Sequence, residues 1–315
     1  LFNKGILPVA VATAMFGAGV AQAVTIGEGG PESVTVSTNV TANYWVSNNG
    51  TLVINNNGGQ MQSFYGTIDG SNLSTSTNGS RADSARGNVT ITAANGLTLY
   101  GDVGATNGTG NMTLEAGSTL YLADNMTTFR TTTLTIGTGS TVYTGNNASQ
   151  GYNRASGDAL TMTSNITMRG SSTLNVGNGT TITGNIFGDS DGQGTLNING
   201  NFTTGGNIGS DSVASSTAGE LAVITIGSNN TLTASHNMSA TSIYANGTIE
   251  ARSDSANITG AVKMGTAGKI YLNNSALNGG SGNAAKITGA IDGNEARGGN
   301  LYANGTWSTG GVIGA

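Results

Sequence analysis

Residues 182–210 read ITGNIFGDSDGQGTLNINGNFTTGGNIGS and residues 287–315 read ITGAIDGNEARGGNLYANGTWSTGGVIGA, so that without a gap 14 of 29 positions are identical at an offset of 105. The matches keep two beats at once. An apolar beat pairs Ile182 with Ile287, Ile186 with Ile291, Leu196 with Leu301 and Ile208 with Ile313, and aromatic Phe202 meets aromatic Trp307. A glycine beat pairs Gly184 with Gly289, Gly200 with Gly305, Gly206 with Gly311 and Gly209 with Gly314. Both beats together mark an internal repeat. Carried back by the same offset, Gly206-Asn207-Ile208-Gly209 falls on Gly101-Asp102-Val103-Gly104, a third copy of the tetrad. After these two tetrads the pattern continues as Ile224-Thr225-Ile226 and Met112-Thr113-Leu114, at a spacing of 112 in place of 105, so one loop is seven residues longer. Stacked repeats tolerate insertions in loops, because each unit packs on its neighbours through its strands.

Working outward, the chain from residue 24 onward is a succession of strand-length fragments with period-two alternation, each closed by Gly or Asn. Val89-Thr90-Ile91, Leu120-Tyr121-Leu122, Leu174-Asn175-Val176 and Ile270-Tyr271-Leu272 are examples, and no segment carries a helical stripe. Short uniform strands with few large side chains suit an all-β parallel solenoid, in which each coil buries a narrow apolar row and like residues stack from coil to coil. Glycine supplies corners at positive φ. At roughly 20 residues per coil and about 4.8 Å between coils, the expected rod is roughly 70 Å long.

Three segments follow from this reading. Residues 1–23 read as a secretory signal: Lys4, a charge-free apolar run from Gly5 to Val20, then the small-x-small Ala21-Gln22-Ala23. The run is shorter than the roughly 20 apolar residues a bilayer span requires. Residues 24–88 are expected to form an N-terminal cap, with Tyr44, Trp45, Phe64 and Tyr65 clustered, followed by an excursion loop over 70–88. Residues 89–315 are then the solenoid.

Composition bounds the function. Charged residues are 9% of the chain, cysteine is absent and the net charge is −5. No disulfide frame or thiolate metal site is available, and 11 scattered basic residues make no nucleic-acid footprint.

The signal sequence, the Thr-Gly-Asn-rich strands and above all the two units ITGNI…GTLNINGNFTTGGNIG and ITGAI…GGNLYANGTWSTGGVIG resemble the passenger region of autotransporters, in particular the repeats of rickettsial-type surface antigens. The resemblance covers most of residues 89–315. It implies a right-handed parallel β-helix displayed outside the outer membrane, commonly as an adhesin, together with a translocating β-barrel. Barrel strands are absent from this sequence, which points to a fragment of a longer product or to a likeness of architecture alone. The matching motif is structural, so the resemblance supplies no catalytic or binding residue.

A search for chemistry gives weak candidates. Asp189-Ser190-Asp191-Gly192 could offer two oxygens to Ca²⁺, but its repeat counterpart Asn294-Glu295-Ala296-Arg297 keeps no such pair, and a tight turn explains it equally. His236, the single histidine, reads as a solvated loop residue. Gly188, Gly192 and Gly194 precede no helix that could present amides to a phosphate. Thr90-Ile91-Thr92, Thr133-Leu134-Thr135 and Thr231-Leu232-Thr233 would suit an ice-binding face only if they stacked in one row. Tyr44, Trp45, Tyr121, Tyr244 and Tyr302 could contact a glycan or host protein, with a cap or core role favoured for Trp45 and Trp307. Arg81-Ala82-Asp83 reads as a loop charge pair, and Asn-x-Thr triplets such as Asn88-Val89-Thr90 and Asn165-Ile166-Thr167 as a consequence of composition.

The expectation is therefore a secreted, cell-surface β-solenoid exposed at the outer membrane, with no catalytic residue, cofactor or metal. Its task would be attachment or shielding, through a host or neighbouring cell-surface receptor or glycan. The alternative is a self-associating surface-layer or filament protein. A glycan-active β-helix enzyme is a third reading, and it requires carboxylates that converge in a groove.

Overall fold

The computed structural model describes residues 23–26, 31–35, 39–46, 50–56, 59–70, 86–145, 158–209, 219–252, 256–272, 285–293, 298–303 and 307–314. All regular structure among them is β. The strands pair in parallel, each with the strand one coil before and one coil after it, which is the expected parallel solenoid.

The register resolves three faces, which the chain visits in turn. On face one a single column of partners runs Val24, Tyr44, Ile68, Val103, Phe129, Met162, Ile182, Thr204, Ala234, Ala251, Leu272 and Ala303. Face two has the column Glu32, Leu52, Val89, Met112, Leu134, Ile166, Ile186, Ile208, Met238, Ile258, Ile287 and Thr309. Face three runs from Gln62 through Leu97, Leu120, Val142, Leu174, Leu196, Ile224, Ile243, Val262 and Ile291 to Ile313, and Val40 bridges Phe64 at its start. The described residues thus make twelve coils. Eleven spacings of about 4.8 Å give a rod of about 53 Å, shorter than expected because a coil averages about 25 residues, from 279 residues over eleven steps between Val24 and Ala303.

Alternation explains the core. Period-two strands turn one side chain in and the next out, and in the face-two column every side chain from Leu52 to Ile287 is buried. Corners are tight or absent. Thr128–Ile136 and Leu160–Met168 run from face one into face two, with a register shift between Arg130 and Thr133, while Met238–Ala245 and Asn257–Met264 run from face two into face three.

No break in pairing separates residues 24–88 from the rest. Thr51–Asn55 pairs with Asn88–Thr92, so coils of the same three-faced pattern precede residue 89. Of that segment's aromatics, Tyr44 and Phe64 are core and Trp45 faces outward. Ala23 opens the first strand, Ala23–Ile26; Ala21 and the rest of the expected signal, and residues 71–85, lie outside the described residues.

The 105-residue repeat does not coincide with a whole number of coils. Ile182, Ile186, Leu196, Phe202 and Ile208 lie on faces one, two, three, one and two; their counterparts Ile287, Ile291, Leu301, Trp307 and Ile313 lie on faces two, three, one, two and three. The offset equals four coils and one further face. The tetrad therefore walks around the rod: Val103 sits on face one, Ile208 on face two and Ile313 on face three, each in a single-residue bridge. What recurs is a strand-corner-strand unit that fits any of the three corners. Its local geometry is the same at each place, with φ of 67°, 82° and 68° at Gly104, Gly209 and Gly314. Thr204 and Thr309 likewise each donate their hydroxyl to the carbonyl two residues on, Gly206 or Gly311, at 3.0 Å. A Cβ on Gly206 or Gly311 would lie 2.4 or 2.2 Å from the carbonyl oxygen of Gly184 or Gly289 in the coil beneath, so glycine at these positions answers a close approach of backbones. Gly200 meets Asn178 in the same way, and Gly305 lies outside the described residues.

Candidate functional site

Outward side chains form ladders, because parallel stacking in register puts like positions one above another. At the start of face two, asparagines occupy the same place in five successive coils: Asn165, Asn185, Asn207, Asn237 and Asn257. Each amide oxygen accepts from the backbone N–H of the next asparagine, at 3.0, 2.8, 3.2 and 2.9 Å in turn. Asn88 and Asn111 make the same contact lower down. Two residues further on, Thr90, Thr113, Thr135 and Thr167 stack in register. The Asn-x-Thr triplets thus follow from position in the coil as well as from composition. Thr133 stands above Asn111, so the Thr-x-Thr fragments do not line up as paired rows on this face. A second threonine column, Thr128, Thr161, Thr181, Thr203 and Thr233, occupies face one.

Face three carries a run of outward tyrosines. Its outward column reads Tyr121, Tyr143, Asn175, Asn197, Thr225 and Tyr244, with no charge until Lys263, whose ammonium lies 5.4 Å from the Tyr244 ring centre. Tyr121 and Tyr143 stack at 4.9 Å and 7°, and Asn197 donates to Asn175 at 3.1 Å. Tyr271 and Tyr302 make a similar stack on face one. Tyr44, expected as a surface contact, is buried against Phe64, and burial pushes its phenol pKa up. Trp45 and Trp307, expected in a cap or core, are 46% and 37% exposed: Trp45 occupies an outer position between buried Tyr44 and Val46, whereas Trp307 is on the inward side of the twelfth coil, which the described residues leave uncovered.

The carboxylates are arranged differently from the sequence expectation: two of them, Asp191 and Glu220, converge in one groove, the feature that the glycan-active reading requires. Asp189 pairs with Arg169 at 3.4 Å across two exposed side chains, a contact worth little in water. Asp191 turns the other way, and its Oδ1 accepts from the backbone N–H of Glu220 at 3.1 Å. Gly188 and Gly219 exchange backbone hydrogen bonds in an antiparallel bridge that clasps the turn against the returning chain. The clasp brings Asp191 and Glu220, 29 positions apart, to one groove of about 480 Å³ on face two, completed by Asn237, Met238, Ser239, Asn257 and Thr259. Glu220 is held by two hydroxyls, Thr241 to Oε1 at 3.0 Å and Ser239 to Oε2 at 3.4 Å. Among the described residues, face two has only Ile208 as its rung in this coil, in isolated bridges to Ile186 and Met238. Among the described residues no three His, Asp or Glu side chains gather as a metal cluster, and His236 is exposed. Sequence reasoning missed Glu220; the one trace of it is the longer loop after Gly209.

No family model matches this chain, and neither a curated protein nor a solved structure matches it.

Proposed function

We propose that the chain is the β-helical passenger of a secreted protein displayed outside an outer membrane, of the kind its repeats resemble in rickettsial-type surface antigens, and that it serves attachment or shielding without catalysis. The observation that supports this reading is the uncharged outward column of face three, from Tyr121 to Tyr244 over six successive coils of a rod without cysteine. Such a surface offers hydroxyl, amide and phenol groups at every rung, the residue chemistry of an adaptable contact surface. Its partners would be a receptor or glycan on another cell and, for a longer product, a translocator barrel. Antibody labelling of intact producing cells tests the reading: the chain is expected to be labelled without permeabilisation and, when purified, to sediment with target cells. Labelling confined to permeabilised cells overturns it. The alternative of a self-assembling surface layer draws on Trp307, Val312 and Ile313, apolar side chains of the twelfth coil that the described residues leave uncovered; it predicts that the purified chain forms end-to-end filaments without target cells.

A further inference from the structure

We propose that the groove between Asp191 and Glu220 on one side and Asn257 and Thr259 on the other binds a neutral saccharide unit, an inference that rests on the attachment reading and names what one part of the surface grips. The two walls differ in chemistry. Asp191 has one oxygen occupied by the Glu220 amide and the other without a partner among the described residues, so this wall presents acceptors. Glu220 is fixed in place by Ser239, itself 8% exposed, and by Thr241, and retains lone pairs for a ligand. On the opposite wall the side chains of Asn257 and Thr259 have no hydrogen-bond partner among the described residues, and Asn237 has committed its oxygen to the Asn257 amide, leaving its NH₂ as a donor. Met238 lies between them with its side chain turned into the core, so the groove is walled by polar groups.

A ligand that satisfies both walls must donate and accept within one small volume. A divalent cation wants six or more oxygens, and the groove offers one carboxylate oxygen, on Asp191, that no donor among the described residues engages, beside the two Glu220 oxygens, each of which already accepts a hydroxyl bond. A cationic side chain could be met by the carboxylates and by the Asn257 and Thr259 oxygens, but it would leave the NH₂ groups of Asn237 and Asn257 without an acceptor. An anion would meet two carboxylates with no Lys or Arg in the lining. A sugar ring, each hydroxyl of which both donates and accepts, fits both walls, and the groove volume lies in the range of ordinary small-ligand sites, about 300–1,000 Å³.

Calorimetric titration of the intact chain with maltohexaose, cellohexaose and chitohexaose, beside hexalysine and CaCl₂, tests this. At least one neutral oligosaccharide should bind, with affinity unchanged when ionic strength rises from about 0.05 to about 0.5 M, because no charge on the ligand is screened. Glu220→Gln and Asn257→Ala should each weaken binding by about tenfold, the loss of one hydrogen bond that involves a charged or buried partner, while Thr161→Ala on face one leaves it unchanged. Circular dichroism separates lost binding from lost folding. Binding of hexalysine or Ca²⁺ alone, of no probe at all, or of an oligosaccharide with equal affinity in all three variants overturns the proposal. Continued attachment of the Glu220→Gln chain to target cells would leave the attachment reading standing after the groove assignment had failed.

Discussion

Ile208 and Ile313 hold the same place in the same tetrad, with the same backbone turn after them, yet Ile208 is fully buried and Ile313 is 48% exposed. The same division runs through both units: Leu196 and Phe202 are buried, whereas Leu301 is half-buried and Trp307 exposed. The matching beats of the two units therefore yield the same strand and corner in both places, and burial comes from the neighbour. Ile208 is bridged on both sides, by Ile186 below and Met238 above; Ile313 has Ile291 on one side only among the described residues. In a rod where each coil touches only the next, a residue's contribution to stability depends on whether a coil lies on it.

The largest expected effect follows from that difference. Ile208→Ala should cost about 2–5 kcal/mol, since it removes buried methyl and methylene groups and leaves a cavity between two coils. Ile313→Ala should cost less than about 1 kcal/mol, as at an ordinary surface position. Denaturant unfolding measures both, and hydrogen exchange places the loosening around residues 186–238 in the first case. Equal losses would mean that the two units are covered alike and would break the comparison.

The glycines after these residues sharpen it. Gly209 and Gly314 share a left-handed backbone, so alanine strains either by about 1–2 kcal/mol. A Cβ on Gly209 would in addition lie 2.0 Å from the backbone oxygen of Ser239 in the coil above, whereas nothing lies within 4 Å of one on Gly314. Gly209→Ala is therefore expected to cost about 1–3 kcal/mol more than Gly314→Ala, the usual penalty of overpacking, measured by the shift of the urea midpoint.

How far the sequence carried is clear from these same residues. The apolar and glycine beats of 182–210 were sufficient for a parallel solenoid, because they are the inward rungs and the tight corners themselves. The rotation by one face was not legible: coils between successive face-one partners range from 17 residues, Ala234 to Ala251, to 35, Ile68 to Val103, so an offset of 105 does not reveal its number of turns. Nor was the asparagine ladder, since Asn207 looks interchangeable with its repeat counterpart Val312 until Asn237 is placed above it. The groove was hidden for a related reason. Asp191 and Glu220 meet through an antiparallel clasp of two glycines, Gly188 and Gly219, which belongs to neither period of the repeat.

The smallest expected effect concerns what the two units should share. Thr204 and Thr309 each donate a hydroxyl hydrogen bond to the carbonyl two residues on, and each accepts one from that residue's N–H, at 3.3 Å from Gly206 and 3.2 Å from Gly311. These bonds lie within one corner and ask nothing of a neighbouring coil, and both glycines are partly exposed, so water can reach the freed groups. Replacing either threonine with valine should therefore cost about 0.5–1.5 kcal/mol, the net value of an ordinary hydrogen bond. The two losses should agree with each other even though Ile208 and Ile313 differ severalfold. If Thr204→Val proved much the more costly in the same unfolding assay, the corner would owe its shape to the coil stacked on it, and the unit that walks around the three faces would not be self-contained.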